Sequence, residues 1–128
     1  MPELEKLTVN LGGVDLGQIE LLVEQGFYAN RAEFIRTAIQ NQLGKHAETV
    51  RETATRHAFL IGVLSYNRRV LEKEKSAGRR IAARVIGYLE IDDDVTPELA
   101  SETIESLKVR GIFSASPAVK AALADRTS

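Results

Sequence analysis

The chain has 128 residues, 44% of them hydrophobic and 5% aromatic with no Trp, so it holds one domain of ordinary size or two small ones, and any single core is modest. It has no Cys, which excludes disulfides and thiolate metal sites and suits a reducing cytoplasm; it also has no apolar run long enough to span a membrane and no basic-then-apolar secretory start. A formal charge of −1 gives no global argument for nucleic acid, but the charge is uneven: residues 1–43 hold 3 Lys/Arg against 6 Asp/Glu, residues 44–90 hold 10 against 5, and residues 91–128 hold 4 against 7.

EKLTVNL, residues 5 to 11, alternates as a strand: Leu7, Val9 and Leu11 on one side, Lys6, Thr8 and Asn10 on the other. GGVD reads as a turn ending in an N-cap at Asp15. Leu16, Ile19, Leu22 and Val23 then recur at helical spacing, and Gly26 is placed to end that helix. Asn30-Arg-Ala-Glu33 has the capping-box form and opens a second helix whose apolar side is Phe34, Ile35, Ala38, Ile39 and Leu43, with Gly44 at its end or interrupting it.

One strand and two helices in about 40 residues are too little to fold comfortably alone, and a lone strand leaves its backbone groups unpaired. A twofold answers both needs: the strand pairs antiparallel with its own copy, and four helices cover Leu7, Val9 and Leu11. The outer face of that ribbon carries Lys6, Thr8 and Asn10 twice. A two-stranded ribbon fits the DNA major groove, where Lys addresses guanine acceptors, Asn addresses adenine and Thr either.

Through EKLTVNL, the first helix and GFYANRAEFIRTAI, residues 5 to 43 resemble the ribbon-helix-helix DNA-binding proteins of the CopG/Arc/MetJ class. The resemblance implies an intertwined homodimer on double-stranded DNA, with base contacts from Lys6, Thr8 and Asn10. It implies phosphate contacts from the second helix start at Asn30 and Arg31, and from Arg36, which matches a basic position of the pattern. The segment departs from the family's repressors in being net acidic, so few phosphates are neutralised per protomer and nonspecific affinity is weak.

Each of these residues also has a plainer role. Lys6, Thr8 and Asn10 suit a solvated strand face; Asn30 is first a helix cap; Arg31 and Arg36 suit surface charge; Phe27 and Tyr28 suit corner packing. His46 and His57 lie three helical turns apart, about 16 Å in a straight helix, so one ion cannot bind both within a chain. No nucleophile–base pair, phosphate-cradling loop or paired carboxylates occur, and Asp92-Asp93-Asp94 lacks the alternating ligands of a calcium loop and reads as a solvated turn. No enzyme activity, metal or cofactor is expected.

Beyond residue 44, Ala47, Val50, Ala54, Ala58 and Ile61 predict a helix from about 45 to 60, running into FLIGVLSY. Asn67 caps a charged helix that Gly78 stops. Residues 80–91 alternate as a strand, Thr96-Pro97 opens a short turn, residues 106–113 form a second strand, and Ser116-Pro117 opens a closing helix. Ile86 and Ile112, on otherwise polar strand faces, imply a covering helix or subunit. The basic middle, with Arg68, Arg69, Arg79 and Arg80, either supplements the weakly charged front on DNA or is paired with Glu72, Glu74 and Glu90 to hold the module together.

The expected fold is α+β: a ribbon-helix-helix domain at 1–44, then a helical connection and a small α+β module at 45–128. The expected function is sequence-specific transcriptional regulation, as a repressor, by a cytoplasmic homodimer whose C-terminal module either adds oligomer contacts, up to a tetramer, or receives a signal. The alternative is an antitoxin or assembly adaptor whose C-terminal part binds a partner protein.

Overall fold

A computed structural model describes residues 4–128. Its helices and strands are α1 (Gly13–Glu24), α2 (Arg31–Lys45), α3 (Ala47–Arg56), β1 (Leu60–Tyr66), α4 (Arg68–Ser76), β2 (Ile81–Ile91), α5 (Pro97–Thr103), β3 (Ile104–Ser114) and α6 (Pro117–Ala122), followed by a 3-10 turn at Ala124–Arg126. The chain divides into two compact units, Lys6–Glu52 and one built of Thr53–Ser128.

In the front unit, residues 4–12 carry no secondary structure in the single chain. The alternating segment has no neighbouring strand within one chain, so no ladder closes on it. Helix α1 begins earlier than expected. Gly12, in extended conformation, is its N-cap and offers no side-chain cap, while Asp15 lies in the first turn and complements the helix dipole rather than capping it. At the other end Gly26, at φ 85°, donates to the Val23 carbonyl and Phe27 donates to that of Leu22, both at 3.0 Å. This is a Schellman stop, and the left-handed residue it needs is glycine. Helix α2 continues through Gly44 to Lys45, so that glycine neither ends nor interrupts it.

The second unit corrects the sequence reading most. FLIGVLSY does not continue α3. The helix stops at Arg56 through a second Schellman closure, with Ala58 at φ 57° and the Phe59 amide donating to the Ala54 carbonyl at 2.8 Å. LIGVLSY is then strand β1. The module is a three-stranded parallel sheet in the order β1-β2-β3, with helices as crossovers, and is α/β rather than the strand-turn-strand-helix arrangement expected. Asn67, Thr96 and Ser116 cap α4, α5 and α6 by accepting from Val70, Leu99 and Val119, and proline opens the last two. Gly78 makes a further left-handed stop after α4.

Ala83, Val85, Leu89 and Ile91 of β2 and Leu107 of β3 bury one face of the sheet against Leu71, Leu99, Ala100, Val119 and Leu123 from the helical segments. At the C-terminus, Ser128 donates to the Leu107 carbonyl and accepts from the Val109 amide, so the chain end covers the free edge of β3. Gly62, Gly87 and Gly111 pair in register across all three strands, each at φ between 129° and 147°. A methyl group on Gly87 would run into the Gly62 carbonyl, and one on Gly111 into that of Gly87. The row therefore admits only glycine on β2 and β3.

Candidate nucleic-acid interface

Lys6, Thr8 and Asn10 are all exposed, and so are Leu7, Val9 and Leu11 on the alternate positions. Leu7 is 80% and Val9 73% exposed, an exposure at the centre of an apolar stripe that is rare in folded monomers and marks an interaction surface. The whole apolar side of the front unit shares this state: Ile35, Ile39 and Leu43 of α2 are exposed, and Ile19 is the one buried residue of Lys6–Glu52. Val9, Leu11, Leu16, Ile19, Ala32 and Ile35, with Arg31, line an open cavity of about 440 Å³. The cavity is bordered by the side of the N-terminal segment opposite Lys6, Thr8 and Asn10. A second set of apolar side chains fits it chemically.

The start of α2 has the geometry of an anion site. The Asn30 side chain accepts from the Glu33 amide at 2.8 Å. The Glu33 carboxylate reaches back to the Ala29 amide, at 2.7 Å, one residue before the position that the capping box predicts. The amides of Arg31 and Ala32 have no acceptor among the described residues, so two first-turn donors stay free beside the positive end of a 15-residue helix. Arg31 stands next to them, loosely paired with Glu20 at 3.9 Å, both side chains exposed. Such a pair is worth about 0–1 kcal/mol and competes weakly with a phosphate.

Arg36 is exposed on α2, but five residues past Arg31 it is rotated by about 140° around the helix, so the two arginines do not share one face. Tyr28 packs edge-on against Phe34, with ring centroids 5.0 Å apart, and is a corner residue; Phe27 is exposed.

The basic middle is tied into the module. Arg68 bonds Glu72 at 2.7 Å, Arg79 bonds Glu74 at 3.0 Å, Lys75 bonds Glu102 at 2.6 Å, and Arg80 donates to the carbonyls of Ser101 and Ile104. The hydrogen bond from Arg79 holds the Glu74 carboxylate below its ordinary range, and the one to Glu102 raises Lys75. Arg68 and Arg79 thus follow the paired, structural reading and Arg80 is held by carbonyls, whereas Glu90 is not among their partners and Arg69 has no ion pair among the described residues. Asp94 accepts from the Arg68 amide at 3.1 Å and Asp92 closes a turn with the Val95 amide, so the acidic triplet is a turn.

At the carboxyl ends of β2 and β3 a cleft of about 750 Å³ is lined by Tyr88, Glu90, Asp92, Asp93, Asp94 and Ser114 among others, an acidic surface that repels phosphate. Among the described residues no group of three or more His, Asp or Glu could hold a metal ion, and no helix is long and apolar enough to cross a membrane.

The model of one family, described as the ribbon-helix-helix transcriptional regulators, matches residues 2–120 and so takes in both units. No curated protein and no solved structure matches the chain.

Proposed function

The chain belongs to the ribbon-helix-helix transcriptional regulator family, a DNA-binding class, and from that membership we propose that it acts as a homodimeric repressor of the CopG/Arc/MetJ type, in the cytoplasm with its DNA. Residues 5–11 of two copies pair into an antiparallel ribbon that enters the major groove. Lys6, Thr8 and Asn10 read base edges, while the free amides at the start of α2, with Asn30 and Arg31, hold a phosphate. Arg36, on another face of α2, adds a phosphate contact only if the duplex bends toward it. The domain that does this is residues 1–44. The module at 45–128 joins copies and builds dimers into tetramers.

The observation that carries the reading is the exposure of Leu7, Val9 and Leu11 opposite Lys6, Thr8 and Asn10 in a unit with one buried residue. Burying the first three against a second copy turns the second three outward as a polar stripe. The test is Asn10→Ala on a duplex selected by the wild-type protein from a random pool. Each bidentate base pairing removed is worth roughly 1–3 kcal/mol, and a dimer loses two, so the preference over a scrambled duplex falls by one to four decades. Equal weakening on both duplexes removes Asn10 from base reading. An exposed apolar face on the C-terminal sheet also suits an antitoxin or adaptor whose module grips another protein.

A further inference from the structure

The C-terminal sheet is covered by helices on one face only. On the other face, Ile61 and Val63 of β1 lie beside Ile86 and Tyr88 of β2, and Tyr88 lies beside Ile112 of β3. None of the five belongs to the helix-side core: Ile61 and Val63 are exposed, Val63 at 62%, Ile86 and Ile112 are half-buried, and Tyr88 is already buried within one chain. They occupy five of the six positions on the two register levels that flank the glycine row; the sixth, beside Ile86 on β3, is Arg110. The ends of the face differ in sign. Toward the amino ends of the strands stand Arg84 and Lys108; toward the carboxyl ends stand Glu90 and then Asp92, Asp93 and Asp94.

We propose that this face packs on the same face of a second copy, with the twofold axis running across the strands near the Gly62–Gly87–Gly111 row. The proposal deepens the reading that the module joins copies, and it needs no DNA. The charge pattern selects the orientation. Two identical faces stack either with strands parallel or with strands antiparallel. Parallel stacking sets Arg84 over Arg84 and Glu90 over Glu90, with like charges opposed at both ends. Antiparallel stacking about the glycine row sets Arg84 over Glu90, Ile86 over Tyr88, Ile61 over Val63 and Lys108 over Ser114, each twice; Arg110 falls over Ile112 on the edge strand, where its stem can lie on apolar surface with its head in water.

Arg84 is held in place: it donates to the His57 carbonyl at 2.8 Å and lies 5.9 Å from the Phe59 ring centre, so its charge is positioned rather than swinging free. Edge-to-edge pairing through β1 would only extend the sheet and leave Ile61, Val63, Ile86 and Ile112 on an uncovered face.

The cysteine-free chain makes a direct test possible. Lys108→Cys and Ser114→Cys lie six residues apart on β3, about 20 Å, too far to be joined within one chain. In the full-length protein, the double variant is treated with a bis-maleimide of about 10 Å reach, the usual spacing of packed sheets. Antiparallel stacking gives covalent dimers from the double variant and few from either single variant. Dimers from both single variants place β3 over β3 with strands parallel and overturn the proposal. No dimers from any variant means that the face is free, edge-paired, stacked in parallel about β2 or given to another protein, and overturns it equally.

Adding Val63→Lys, an exposed position in one chain, should cut the double variant's cross-linking at least tenfold; unchanged yield is a contradiction. Sedimentation of the same samples keeps the two interfaces apart. Dimers by mass without the 108–114 cross-link retain the ribbon and lose the sheet pairing, whereas the cross-link in a Val9→Asp background retains the sheet pairing alone.

Discussion

Val9→Asp separates a chain that folds by itself from one that needs a partner. Val9 is 73% exposed in the single chain. If that were its working state, an Asp there would be a surface substitution, worth within about ±0.5 kcal/mol. In the ribbon dimer both Val9 side chains lie between the strands and the four helices. Full burial of one Val is worth about 1.5–3 kcal/mol, so losing both costs about 3–6 kcal/mol per dimer before the penalty for two unpaired carboxylates. That is a large part of the stability of an ordinary domain, and the front unit should both dissociate and unfold. Sedimentation velocity at micromolar concentration gives the mass, and far-UV circular dichroism gives the lost α1 and α2 helix. Wild-type mass and helicity in the variant would refute the intertwined front unit.

Other substitutions address other parts. Ala58→Gly relieves a non-glycine left-handed residue at the α3 stop and should stabilise the chain by about 1 kcal/mol, read as a higher urea midpoint. Gly111→Ala drives a methyl group into the Gly87 carbonyl at φ 129°; loss of the module's cooperative transition is expected, while Gly44→Ala, in open space within α2, should be neutral or stabilising. Glu74 is held below its ordinary range by Arg79, so this pair's support is present above the unfolded carboxylate pKa and fades as pH falls through the lower folded one. Glu74→Gln should flatten that part of the acid limb, a small effect at an exposed pair. Arg31→Ala should weaken all duplexes alike and lower the slope of log affinity against log salt by about 0.9 for each phosphate no longer neutralised.

Much of the fold was legible where a residue's own chemistry dictates the backbone. Asn30, Asn67, Thr96 and Ser116 cap the helices they announce, and Gly26 and Gly78 stop theirs. Signals failed where local chemistry and long-range pairing diverge. Asp15 looked like a cap, but a bare glycine start served, and the carboxylate settled in the first turn. LIGVLSY is an apolar run whose Ile61 fits the helical spacing of Ala47 to Ala58; only its place beside β2 makes it a strand. The glycine row was beyond sequence reach because Gly62, Gly87 and Gly111 become neighbours only in the sheet register. The signal present was a lone glycine within each of three apolar runs. Lys6, Thr8 and Asn10 were legible as a stripe, since alternation alone separates them from Leu7, Val9 and Leu11.

The central claim is that a ribbon bearing Lys6, Thr8 and Asn10 lies in the major groove, and methylation interference tests it most directly. On the selected duplex, guanine N7 methylation blocks the major-groove acceptors, while adenine N3 methylation blocks the minor groove. The account predicts interference at guanine N7 within the bound site, abolished at individual positions in Lys6→Ala, and none at adenine N3. Interference confined to adenine N3, or an N7 pattern unchanged by Lys6→Ala, Thr8→Ala and Asn10→Ala alike, would contradict it.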